Sequence, residues 1–120
     1  MGRLTTHVLD TAHGKPGAGI AIALYRREDA NDRAYALVER AVTNHDGRCN
    51  APLLEGPAFA AGQYRLTFAT AEYFRRQGVT LPDPPFIDTV LLDFGVADPT
   101  LHYHVPLLVS PWSFSTYRGS

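Results

Sequence analysis

Large apolar residues recur at every second position through most of this chain, the spacing of strands that bury one face. The clearest stretch is 64–68, where Tyr64, Leu66 and Phe68 alternate with Arg65 and Thr67. A first strand is predicted at 4–10, ended by the turn-rich stretch 11–17. In 20–26 the residues Ile20, Ile22 and Leu24 alternate with Ala21 and Ala23, so one heavy face packs inward. Polar residues 28–33 read as a loop, and 34–42 as a longer strand whose sidedness the pattern leaves open. Further strands are expected at 87–94, 101–109 and 112–117, with a loop at 95–99 and a tight connection at Ser110-Pro111. One helix is predicted, with Thr70 as its cap, Gly78 as its stop, and Glu72 spaced to pair with Arg75 and Arg76. About seven or eight short strands with one short helix describe a mainly β fold, a β-sandwich.

At 120 residues the chain fits one domain, 1–120, without disulfide or metal staples. Its single cysteine, Cys49, rules out an intrachain disulfide and reads as a small residue near a short strand. A net charge of −1 with no basic block argues against nucleic-acid binding. Apolar runs such as 18–25 fall far short of the roughly 20 residues of a membrane-spanning helix. The start has no signal-peptide pattern, so a cytoplasmic location is expected, although a leader already removed would leave no trace.

Period-two geometry sorts the candidate chemistry by face. Thr5, His7 and Leu9 share a side of the first strand; His102, His104, Pro106 and Leu108 share a side of the seventh; Ser113, Ser115 and Tyr117 share a side of the last. The alternates Val8, Val105, Leu107, Trp112 and Phe114 are expected in the core. If the polar faces belong to one sheet, they form a flat patch that invites a partner subunit. His102 stays open between supporting His104 and being an exposed strand residue, while His13 and His45 fall in turns and read as solvated. The turn Asn44-His45-Asp46-Gly47 fixes where the next strand begins and so aims Arg48, whose planar donors suit a carbonyl-rich or anionic heterocycle. Arg118 lies on the opposite face from Tyr117 and is expected against the fold. His7, His102 and His104 could incidentally hold zinc, but no motif calls for a metal. There is neither a Gly-x-Ser-x-Gly elbow nor a phosphate-binding glycine loop, so no cofactor is expected.

The opening Leu4-Thr5-Thr6-His7-Val8-Leu9-Asp10, the central Thr43-Asn44-His45-Asp46-Gly47-Arg48 and the ending Tyr117-Arg118-Gly119-Ser120 together resemble the 5-hydroxyisourate hydrolases, transthyretin-like enzymes of purine catabolism. The resemblance implies a transthyretin-like sandwich that assembles as a homotetramer, with sites at a subunit interface and 5-hydroxyisourate as substrate. It implies that His7 or His104 accepts a proton from water while the other protonates or orients the departing nitrogen. Arg48 would bind the substrate oxygens, Tyr117 would close on the ring, and Ser120 with the chain terminus would position water or substrate. The alternative is a transthyretin-like carrier of a small aromatic ligand, since Ser110-Pro111-Trp112-Ser113-Phe114-Ser115-Thr116 resembles transthyretin's own ending. A carrier would need apolar and hydroxyl groups on the face where this chain puts His7, Arg48, His104 and Tyr117.

Overall fold

The computed structural model describes residues 2–28 and 34–120. Among these residues nine strands and one α-helix follow one another as β1 (Arg3–Asp10), β2 (Lys15–Pro16), β3 (Ala21–Arg27), β4 (Tyr35–Val42), β5 (Leu54–Glu55), β6 (Gly62–Phe68), α1 (Thr70–Arg76), β7 (Val90–Val96), β8 (His102–Val109) and β9 (Phe114–Thr116). One sheet runs β2-β1-β8-β9 with β5 also on β1, and the other runs β4-β3-β6-β7. Residues from both sheets, including Leu4, Val8, Tyr103 and Leu107 from the first and Ile22, Leu24, Leu66 and Phe68 from the second, form a single buried cluster. Each such side chain stabilises the sandwich by roughly 1.5 to 3 kcal/mol through its removal from water. This is the expected mainly β sandwich with one short helix. Apart from Glu28, the predicted loop at 28–33 lies outside the described residues.

The heavy face read from the alternation is the inner one: Ile20, Ile22 and Leu24 are buried, as are Tyr64, Leu66 and Phe68. Three details differ. Helix α1 ends two residues before Gly78, and its N-cap is Ala69 with no side-chain cap; Thr70 instead donates its hydroxyl to the Asp88 carbonyl at 3.1 Å. Thr70 therefore ties the helix to the chain ahead of β7. Of the two arginines offered to Glu72, only Arg76, one full turn on, pairs with it, at 3.1 Å.

The third difference is a correction. Trp112 and Phe114, expected in the core, are 60% and 46% exposed. Phe114 does sit opposite Val109, on the inner side of its sheet. But β9 is a three-residue edge strand, and the described residues leave Phe114 only partly covered there. Ser113, expected on the last strand, belongs to the turn before it, where its carbonyl accepts from the Ser110 N–H at 2.9 Å. The Trp112 ring instead lies 6.0 Å from Phe86, which is 72% exposed, so two large aromatics form an uncovered apolar patch.

Candidate active site

Parallel pairing of β1 with β8 sets Arg3 opposite His102, Thr5 opposite His104 and His7 opposite Pro106. Leu4, Thr6 and Val8 on one strand and Tyr103, Val105 and Leu107 on the other all point into the core. Among them the Thr6 hydroxyl donates to the Val105 carbonyl at 2.6 Å, and the Tyr103 hydroxyl accepts from the Asp98 N–H at 3.3 Å. With these alternates buried, Thr5, His7, His102 and His104 are forced onto the outer face. There His7 Nδ1 and His104 Nε2 share a 2.6 Å hydrogen bond, and their rings stack with centroids 4.8 Å apart. His104 Nδ1 lies 2.7 Å from the Thr5 hydroxyl, which lies 2.8 Å from His102 Nε2.

Arg48 comes to this row from the other side. Asn44 accepts the Asp46 and Arg48 amides on Oδ1 at 2.9 and 3.2 Å, closing the turn that the sequence predicts. The turn docks on β1, where the Val8 N–H donates to the Gly47 carbonyl at 2.8 Å and His7 and Arg48 form an isolated bridge. Only glycine suits position 47: its φ is +73°, and a Cβ would lie 2.4 Å from the Val8 carbonyl oxygen. Arg48 is exposed, and no carboxylate pairs with it among the described residues.

The end of the chain returns to the same place. Gly119 exchanges both backbone hydrogen bonds with His104, at 2.7 and 3.1 Å. A Cβ at 119 would sit 3.2 Å from His104 Cβ, closer than ordinary packing allows. Tyr117 and Ser120 thereby line one open cleft with His7, Arg48 and His104. Arg118 points the other way, its guanidinium 4.3 Å from the centre of the Tyr103 ring.

Burial holds the His7 imidazole below its ordinary pKa, and the Arg48 cation adds to the effect. His104 is pushed down further, to about 4, by burial first and then by the charges of His7, Arg48 and His102. Both rings are therefore neutral at pH 7 and able to accept a proton. Cys49 lines the cleft too, but burial pushes its thiol up and keeps it protonated.

His45 is solvated, with its side chain 88% exposed. His13 is not a free turn residue: its Nδ1 and backbone N–H lie 2.7 and 3.0 Å from the carboxylate of the wholly buried Asp10, which also accepts the Tyr73 hydroxyl at 2.8 Å. Among the described residues no three His, Cys, Asp or Glu side chains are arranged to hold a metal ion. His104 has both ring nitrogens engaged by its neighbours. Thr5 was not singled out from sequence beyond sharing a face with His7; the signal was that spacing together with His102-x-His104, whose register against Thr5 only the sheet reveals.

The sequence profile of the HIUase/Transthyretin family matches residues 4–119. A 5-hydroxyisourate hydrolase of Ralstonia nicotianae is 62% identical over 120 residues, covering 100% of each chain. The crystal structure of an (S)-allantoin synthase superposes with a TM-score of 0.92 at 50% identity, covering 99% of this chain and 44% of that one. The 5-hydroxyisourate hydrolase of Klebsiella pneumoniae superposes with a TM-score of 0.80 at 33% identity, over 100% of both chains.

Proposed function

This chain belongs to the HIUase/Transthyretin family, and we propose that its cleft performs the family's hydrolytic chemistry through the His7–His104 pair, with Arg48, Tyr117 and Ser120 holding the substrate. The reaction is hydrolysis of 5-hydroxyisourate in urate breakdown: water opens the six-membered ring at an amide-type C–N bond, giving 2-oxo-4-hydroxy-4-carboxy-5-ureidoimidazoline. One observation carries the assignment of roles: the 2.6 Å bond between two neutral imidazoles beside an arginine that no carboxylate neutralises.

With Nδ1 bound to His104, His7 keeps Nε2 free to take a proton from the attacking water, an effect worth on the order of a hundred to ten thousand fold. His104 orients that ring and shares its proton. The Arg48 guanidinium binds the substrate oxygens and offsets the negative charge that develops as water adds. Tyr117 closes on the ring, and Ser120 positions water or substrate. A carrier of an aromatic ligand has no use for this set of proton-transfer and anion-binding groups.

The chain acts as a single domain in a homotetramer with the sites at a subunit interface. The open shape of the cleft supports this, because a second copy facing it would make it concave. The exposed Phe86, Trp112 and Phe114 support it as well. No helix among the described residues is long and apolar enough to cross a membrane. The free thiol of Cys49 suits a reducing compartment, and we place the enzyme in the cytoplasm.

The test is to follow freshly generated 5-hydroxyisourate by ultraviolet absorbance with and without the protein. Decay no faster than the uncatalysed rate would remove the assignment.

A further inference from the structure

His102, Thr5, His104 and His7 form an unbroken row of hydrogen bonds 2.8, 2.7 and 2.6 Å long. A hydroxyl carries one proton, so Thr5 donates to one histidine and accepts from the other. That single constraint couples the tautomers of all three rings. In one polarity His7 carries its proton on Nδ1 and leaves Nε2 open; in the other, every proton in the row has moved one place and Nε2 is occupied.

His102 also borders a second depression, formed with Gly2, Arg3, Glu55 and Gly56, on the far side of the row from Arg48. The row thus runs along the floor of the substrate cleft from His7 to His102, which lines the cleft and also borders this second depression. We propose that Thr5 and His102 are positioning residues of the reaction, which hold His7 in its basic tautomer and carry the proton taken from water to His102 at the start of β8.

The inference rests on the proposed roles of His7 and His104. The water oxygen bonds to the substrate carbonyl carbon as its proton passes to His7 Nε2. The Nδ1 proton of His7 moves to His104 Nε2, that of His104 Nδ1 to the Thr5 oxygen, and the Thr5 proton to His102 Nε2. His102 then releases its Nδ1 proton to solvent. The second hydrogen of the attacking water goes to the departing nitrogen as the C–N bond breaks, leaving a carboxylate. One proton leaves per turnover, as amide hydrolysis to a carboxylate requires at neutral pH. Once product has left, His7 Nε2 gives its proton to water in the open cleft while one enters at His102, and the row resets. The charged and titratable groups facing it are Arg3 on β1, Glu55 on β5, Arg48 and Cys49 on the docked turn, and Tyr117 from the chain end. Charge does not need to rest on His104, where burial and its neighbours oppose it.

The experiment compares Thr5→Val, Thr5→Ser, His102→Gln and His7→Asn with the unaltered enzyme, measuring kcat and KM across pH and in deuterated water. Thr5→Val keeps the shape and removes the hydroxyl; we expect kcat to fall at least about tenfold with KM within twofold. Thr5→Ser restores the hydroxyl and should recover most of kcat. His102→Gln should lower kcat and shrink the solvent isotope effect on it. Wild-type kcat and an unshifted pH profile in Thr5→Val would overturn the relay, as would Thr5→Ser failing alongside it with raised KM, which marks a packing role. If Thr5→Val does not fold, His102→Gln at the sheet surface decides by the same criteria. An unaltered enzyme that is inactive, or indifferent to His7→Asn, removes the underlying site assignment instead.

Discussion

His7 and His104 are 97 residues apart in the chain, yet their ring nitrogens share one 2.6 Å hydrogen bond. Neither ring can change its tautomer or charge without the other responding, so the two titrate and react as one unit.

Single substitutions in that unit should therefore be nearly as damaging as removing all of it. We expect His7→Asn and His104→Asn each to lower kcat/KM by at least about tenfold, and the double variant to be scarcely worse than the poorer single one. Steady-state kinetics on the three variants checks this. Multiplicative losses would mean that the rings act independently.

The acid limb of activity should lie below the ordinary histidine value of 6.5, because burial and then Arg48 lower His7, and burial and then the charges of His7, Arg48 and His102 lower His104. A base loses activity as pH falls through its pKa, so the enzyme should hold its rate into mildly acidic solution. Arg48→Gln removes a positive charge and should move the limb to higher pH, besides lowering turnover. Rate profiles and imidazole proton resonances followed through the titration would show the shift; a limb that stays put would detach Arg48 from the pair.

At the other end of β1, burial alone would raise the Asp10 carboxyl, but hydrogen bonds from His13 and Tyr73 outweigh it and hold the pKa below the ordinary value. A depressed folded pKa contributes stability that is present above the unfolded value of about 3.9 and lost as pH falls through the folded one. Tyr73→Phe should cost about 1 to 3 kcal/mol by leaving a buried carboxylate short of a donor. His13→Asn should lower the melting temperature while kcat stays at the wild-type level, since the ring lies outside the cleft. Thermal melts from pH 7 down to 3 check both; loss of kcat in folded His13→Asn would put that residue in the wrong role.

Gly119→Ala is the sharpest probe of the chain end. The added methyl would press on His104 and loosen Tyr117 and Ser120 together, so turnover should drop several-fold with little change in melting temperature. Unaltered kinetics would show that this segment does not shape the site.

Light scattering should give four times the 13.2 kDa of one chain. Trp112→Asp puts a charge into the uncovered apolar patch and should reduce mass and activity together. A fully active monomer would contradict a site shared between subunits.

How much of this could be read from sequence follows from what alternation encodes. A two-residue period states which side of a strand a residue takes, and it placed His7 and His104 outward and Val8, Val105 and Leu107 inward. It does not state whether anything covers that side, which is why Phe114 has the expected orientation yet lies exposed, and it does not fix where a strand begins, which is why Trp112 falls in the turn before β9. Gly47 with Asn44 announced a turn, but only its docking on Val8 put Arg48 beside His7. The His13–Asp10–Tyr73 cluster was illegible because it joins a strand end to a helix through tertiary packing. Thr5 lay in view beside His7, yet the register of β1 on β8, which links it to two histidines, belongs to the sheet and to no local pattern.

That register also governs when the enzyme can first work. Pairing strands from opposite ends of a chain is a contact of the most distant kind, entropically costly to close and formed late relative to local hairpins. A ribosome-bound chain that has not yet released β8 has His7 but no partner for it. Catalysis is therefore a report on completed folding, and recovery of activity after dilution from denaturant should trail the return of the β3–β4 hairpin signal rather than accompany it.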